Sequence, residues 1–431
     1  MHATSAPRLA GHGPRTPRAR RSMAARLAAW ALGAGTSAAA AAPLPALSLE
    51  PGQTSVSGLS SGGYMAVQLH VAWSSVFRRG VAAVAAGPWN CAEGSLAHAT
   101  GRCLKRDSPI PVPALQAQAL KASQEGLLDP LSNLQRSQVV LFSGTRDTAV
   151  RQAVTDDLRR FYEAFVPQAQ IRYLNQVPAE HGFVTDDYGK PCGTRGLPYV
   201  QDCDVDLAGI LLETLAGPLA PRHPGPPLGR FVEFNQWHYA SEHIGLASRG
   251  YLYLPPGCEP KVPDGPTDGQ PGEDAPGGPQ AGRAAAGAPI CRLHVVLHGC
   301  GQSVEDIGDT YLRQTGYTRW ADTNRIALLF PQTSRKALNS CWDWWGYTGP
   351  RHATRQGPQV AAIVAMVQAL GGQTPSCRQA WNLEHLWAGR AVVGPWGRLL
   401  ASGSGAPIGW MWQRTGVAEA PAGHHRPARC A

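Results

Sequence analysis

No apolar run in the 431 residues is long enough to cross a bilayer. The most apolar early stretch, Leu27 to Ala34, falls well short of the roughly 20 residues that a spanning helix needs. The chain is therefore not expected to be embedded in a membrane. It also has no C-x-x-C pair despite its ten cysteines, which argues against a structural zinc site. Residues 1–42 contain no Asp or Glu, only six arginines: Arg8, Arg15, Arg18, Arg20, Arg21 and Arg26. Residues 390–431 add five arginines against Glu419. Subtracting these six and four charges from the formal +9 leaves about −1 for everything between. The basic balance thus belongs to the two ends, and the near-neutral body gives no nucleic-acid footprint.

The beginning of the chain has the pattern of an export signal, residues 1–42. Arg20, Arg21 and Arg26 precede the apolar run, and the small residues Ala38 to Ala42 before Pro43 offer A-x-A cleavage sites. The mature protein is accordingly expected outside the cytoplasm, extracellular or periplasmic. The cysteines agree with an oxidising compartment. Their spacing suggests the pairs Cys91 with Cys103, Cys192 with Cys203, Cys258 with Cys291 and Cys300 with Cys341, leaving Cys377 and Cys430 over.

Periodicity predicts alternating strands and helices over residues 43–370. Strands are expected at Gly80 to Gly87, Gln138 to Phe142, Ile171 to Leu174, Arg230 to Phe234, Gly250 to Leu254, Leu293 to Cys300 and Ile326 to Pro331. Helices are expected at Tyr64 to Trp73, Ala153 to Phe165, Leu207 to Leu215 and Val360 to Leu370. The pattern is α/β, with a mostly parallel sheet and helices on both faces. Residues 261–290, rich in Pro, Gly, Asp and Ala, read as a flexible insertion pinned by Cys258 and Cys291. From Gly371 onward no clear periodicity remains, and residues 371–431 are expected to form an irregular, poorly ordered tail.

The chemistry centres on Gly58-Leu59-Ser60-Ser61-Gly62, a G-x-S-x-G pentapeptide between a strand-like and a helix-like stretch. A sharp strand-to-helix turn needs glycine two residues to either side of the serine, because a Cβ there would clash. With 49 glycines such a match is weak alone, but strand, elbow, helix and strand follow in the required order. Ser60 is the expected nucleophile. Asp147 follows a predicted strand in a Gly-Thr-Arg-Asp turn, and His181 lies in Glu180-His181-Gly182-Phe183. The order Ser, Asp, His is that of α/β-hydrolases. Taken singly, Asp147 reads as a turn aspartate and His181 as a structural histidine with Glu180 as a surface neighbour; Asp186 and Asp187 are alternative orienting acids. Backbone N–H groups of Ser61 and of Cys300, in the turn His298-Gly299-Cys300-Gly301, are the expected oxyanion donors. That turn follows the triad by more than a hundred residues, which a circularly permuted hydrolase would explain.

These segments together resemble the secreted esterases of the poly(3-hydroxybutyrate) depolymerase type, which have a permuted hydrolase fold. The resemblance rests on Ser55 to Val81, SGTRDTAV at 143–150, AEHGF at 179–183, VVLHGCGQS at 295–303 and NSCWDWWGY at 339–347, and spans roughly residues 44–370. It departs in having Arg78-Arg79 before Gly80, and in a tail too short for a separate polymer-binding domain. The resemblance implies the catalytic residues Ser60, Asp147 and His181, the oxyanion donors Ser61 and Cys300, and hydrolysis of polyhydroxybutyrate or short 3-hydroxyalkanoate oligomers through an acyl-enzyme. Trp342, Trp344 and Trp345 would line a subsite for the methyl-bearing polyester, or else form a buried aromatic cluster. No cofactor is needed, His238 and His243 are not read as a metal site, and a monomer is expected. The same elbow would serve a carbohydrate (feruloyl or acetyl) esterase, and the same fold a catalytically silent exported binding protein.

Overall fold

The computed structural model describes residues 43–240, 242–260, 290–372, 376–419 and 425–427. The expected export signal and nearly all of the insertion at 261–290 lie outside them, as does Cys430. Strand β1 (Leu49–Leu59) is followed by β2 (Gly80–Val84), β3 (Gln138–Phe142) and β4 (Ile171–Leu174). A small parallel sheet comes next, built from β5 (Phe183–Thr185), β6 (Lys190–Pro191) and β7 (Val200–Asp202). Then come β8 (Arg230–Asn235), β9 (Arg249–Leu254), β10 (Cys291–Leu297) and β11 (Ile326–Phe330).

Eight of these strands form one sheet in the order β4-β3-β2-β1-β10-β11-β9-β8. The six from β4 to β11 run parallel, and β9 and β8 add antiparallel edges. Parallel strands are covered on both faces, so they read as continuous apolar runs rather than alternating ones. Val81 to Val84, Val139 to Phe142 and Ile326 to Phe330 are fully buried accordingly. The helices Ser61–Ala72 and Pro358–Leu370 pack together, and Leu207–Ala216 packs with Tyr317–Asn324.

Strand β1 carries two buried polar side chains, and the sheet satisfies both. His294 of β10 bonds the Ser55 hydroxyl through Nδ1 (2.7 Å) and the Ser57 hydroxyl through Nε2 (2.8 Å), and Ser57 also bonds the Tyr317 hydroxyl (2.8 Å). Burial pushes the His294 imidazole down to about 3, so it is held neutral at the sheet centre. This cluster fixes the register of β1 against β10, and with it the place where each strand ends.

The four expected cysteine pairs are bonded in the structure. Closing the 33-residue separation between Cys258 and Cys291 contributes about 3–4 kcal/mol in the chain-entropy model. The segment after 371 differs from its expected irregularity. Strands β12 (Ser376–Trp381), β13 (Ala391–Val393), β14 (Leu399–Ala401), β15 (Pro407–Gly409), β16 (Arg414–Glu419) and β17 (His425–Pro427) make two three-stranded sheets. Their small core is Ala391, Leu399, Ala401, Ile408 and Val417. Strands of three to six residues separated by Gly and Pro turns are too short to show a period, which is why the sequence hides them.

Candidate active site

Because β1, β3, β4 and β10 are parallel, the segments leaving their carboxyl ends converge on one edge of the sheet, where open α/β sheets place their sites. Ser60 follows Leu59 at the end of β1. Its backbone sits at φ 55°, ψ −120°, outside the regions favoured for a residue with a Cβ, and its N–H is tied to Val84 O at 2.8 Å. The flanking glycines are required by close approach. A Cβ on Gly58 would lie 2.2 Å from Gly62 O, and one on Gly62 would lie 2.3 Å from His298 O and 2.5 Å from Leu297 O. The elbow is thus clamped between its own helix and the end of β10.

Asp147 sits five residues beyond β3, with its side chain 1% exposed. One carboxylate oxygen accepts the N–H groups of Ala149 and Val150, both at 2.8 Å; the other accepts from His181 Nδ1 at 2.9 Å. A carboxylate only accepts, so Nδ1 carries the imidazole proton and Nε2 is left as the basic nitrogen. Ser60 and His181 line the same cavity, of about 280 Å³, together with Leu59, Leu104, Val150 and Tyr199. The alternative acids lie elsewhere: Asp186 pairs with Arg222 at 2.6 Å, and Asp187 pairs with Arg319.

Glu180 is not the surface neighbour that the sequence suggested. It is 7% exposed and accepts from the Thr148 N–H (3.0 Å), the Thr148 hydroxyl and the His181 N–H, which locks the loop after Asp147 to the loop carrying His181. Gln201 secures that loop from the other side, donating to Glu180 O at 2.7 Å and accepting from Glu180 N–H at 3.0 Å. A glutamate next to a histidine carries no sequence signal for burial, because only the fold brings Thr148 to it.

The turn after β10 faces the elbow. Gly299 and Cys300 line the cavity, and a Cβ on Gly299 would lie 3.4 Å from Ser60 Cβ. Three bonds hold the turn rigid. His298 Nδ1 donates to Gly299 O (2.7 Å) while Nε2 accepts from Thr333 N–H (3.2 Å), burial pushing this imidazole down to about 4. Gln302 takes the Gly299 N–H at 2.7 Å. Neither the Ser61 N–H nor the Cys300 N–H has a hydrogen-bond partner among the described residues. Sequence reasoning missed Gln302 as a brace, although it lies within the motif around Cys300.

The three tryptophans divide. Trp344 and Trp345 line the cavity, and Trp344 stacks on Tyr64 of the elbow helix at 4.1 Å. Trp342 does not: it is 0% exposed and donates its indole N–H to His298 O at 2.9 Å, a structural contact.

No family model matches the chain. A poly(3-hydroxybutyrate) depolymerase of Delftia acidovorans is 47% identical over 357 residues, 82% of this chain and 67% of that protein. A polyhydroxybutyrate depolymerase of Talaromyces funiculosus is 33% identical over 360 residues, 79% of this chain and 96% of that protein. Among solved structures, a PHB depolymerase with a serine-to-alanine substitution, complexed with an R3HB trimer, aligns with a TM-score of 0.66 at 32% identity. It covers 77% of this chain and 99% of its own. The crystal structure of a PHB depolymerase from Penicillium funiculosum aligns at 0.65, with the same identity and coverage.

Proposed function

The chain belongs to the poly(3-hydroxybutyrate) depolymerase family, and from that premise we propose that Ser60, Asp147 and His181 are its catalytic triad, with the N–H groups of Ser61 and Cys300 as the oxyanion hole. The protein is a serine esterase that hydrolyses polyhydroxybutyrate. The observation that carries the site assignment is the 2.9 Å bond from His181 Nδ1 to Asp147, with Ser60 presented on a strained elbow in the same cavity. His181 Nε2 takes the Ser60 proton as Oγ attacks an ester carbonyl, and the two N–H groups receive the charge on its oxygen. The leaving alkoxide then takes the proton from Nε2, and water, activated by the same imidazole, frees the 3-hydroxyacyl group from Ser60. Leu59, Val150, Trp344 and Trp345 give this cavity the apolar walls that suit a methyl-bearing chain.

The reading includes export of the mature chain, with residues 1–42 removed and one catalytic domain at 43–370. It also takes the sheet as permuted. The strands on the β10 side of the elbow strand, which would come first in an unpermuted hydrolase, here come last. Release of soluble 3-hydroxybutyrate from suspended amorphous polymer tests the function. The unsubstituted chain should release it, and Ser60→Ala should release at least a thousandfold less. Ferulate release without 3-hydroxybutyrate release would overturn the reading in favour of a carbohydrate esterase.

A further inference from the structure

One cation stands in the cavity wall that the triad chemistry does not use. Arg195 lines the same cavity as Ser60 and His181, on the loop between β6 and β7. That loop is braced by the Cys192–Cys203 disulfide, by Thr194 N–H on Pro191 O (3.0 Å) and by Gly193 N–H on Gln201 Oε1 (3.1 Å). Among the described residues no carboxylate pairs with Arg195. Its one side-chain bond is Nη1 to the Thr148 hydroxyl at 3.3 Å. Further cations flank the loop: a Cβ on Gly193 would lie 3.1 Å from Arg146 Nη1, and one on Gly196 would lie 2.9 Å from Lys190 Nζ.

Thr148 fixes which side of the cavity this is. It follows Asp147 directly and shares Glu180 with the His181 backbone, so the guanidinium stands on the imidazole side. The leaving alcohol must be on that side, because the imidazole proton goes to it. In a 3-hydroxyalkanoate chain the alcohol half of each scissile ester is the half that runs to the carboxyl end. An interior cut puts only neutral esters there; a cut near that end puts a free carboxylate within reach of a guanidinium.

We propose that Arg195 binds the terminal carboxylate of short 3-hydroxyalkanoate oligomers, making this esterase prefer cuts near the free-acid end. The proposal rests on the polyester reading above. In the step it assists, the acyl C–O bond of the ester breaks, the acyl carbon bonds Ser60 Oγ, and the alkoxide of the carboxylate-bearing unit takes the proton from His181. One water is consumed when the acyl group leaves Ser60, so each cut yields one hydroxyl end and one carboxyl end. Arg195 touches only the distal carboxylate and is a specificity residue.

The test compares kcat/KM for cleavage of the inter-unit esters in the 3-hydroxybutyrate trimer as free acid and as methyl ester, followed by chromatography. A charge-assisted bond at a partly solvated site predicts a preference for the free acid of about five- to tenfold. Arg195→Gln should bring the ratio to about one, and Arg195→Lys should keep part of it. Both substrates use the same triad, so any disturbance of the Thr148 loop scales both rates and leaves the ratio intact. A ratio at or below one in the unsubstituted chain, or one unchanged in Arg195→Gln, overturns the proposal. Failure of the unsubstituted chain to cleave either trimer would instead overturn the polyester reading itself.

Discussion

A methyl group added at Gly62 should cost this protein stability, although helix propensity alone favours it. Gly62 is the second residue of the helix Ser61–Ala72, and alanine in a helix is worth about 1 kcal/mol over glycine. The neighbours reverse the sign. The new Cβ would meet His298 O at 2.3 Å and Leu297 O at 2.5 Å, both backbone atoms at the end of a central strand. Relieving that contact requires a retreat on the order of 1 Å, and overpacking of this kind costs roughly 1–3 kcal/mol, so after the propensity gain a net loss of up to about 2 kcal/mol is expected. The retreat separates the elbow from the turn carrying Cys300. A displacement of that size in a positioned catalytic group lowers turnover on the order of a hundredfold. Urea unfolding and kcat on a soluble hydroxybutyrate ester measure the two effects. A Gly62→Ala protein at least as stable as its parent, with kcat within about threefold, would refute the clamped-elbow account.

Two further outcomes follow from the buried polar groups. Asp147→Asn should lower kcat by about 10³- to 10⁴-fold with the fold retained, because the amide N–H would face His181 Nδ1 and impose the wrong tautomer; near-normal steady-state kinetics would remove Asp147 from the triad. Acid should destabilise the protein through its buried imidazoles. Burial lowers His70 and His294 to about 3 and His298 to about 4, whereas an unfolded histidine titrates near 6.5. The unfolded chain therefore binds more protons below pH 6.5, and the stability these groups contribute is full above that pH and lost as pH falls toward 3. At pH 5 the loss is up to about 2 kcal/mol for each. Urea midpoints that stay flat between pH 7 and pH 5 would contradict this.

Parallel strands inside the sheet are easy to read because they are buried on both faces: Gln138–Phe142 and Ile326–Phe330 stand where the apolar runs predict them. The elbow was legible for a different reason, since Gly58 is forced by the close approach of Gly62 O within the turn, while Gly62 answers to the distant backbone of Leu297 and His298. Other long-range contacts left no such trace. Burial of Glu180 depends on Thr148, 32 positions away, and the placement of Arg195 depends on a loop whose only sequence mark is a cysteine pair. The tryptophans show the same limit, since Trp342 and Trp344 are two residues apart yet one anchors a backbone turn and the other lines the cavity.

Labelling by an active-site phosphonate, followed by peptide mapping, tests the central claim most directly. Ser60 should carry the label on the peptide that includes Gly58 to Gly62, and Ser60→Ala should abolish it in a folded protein. Labelling at another residue, or undiminished in Ser60→Ala, would contradict the assignment of Ser60 as nucleophile.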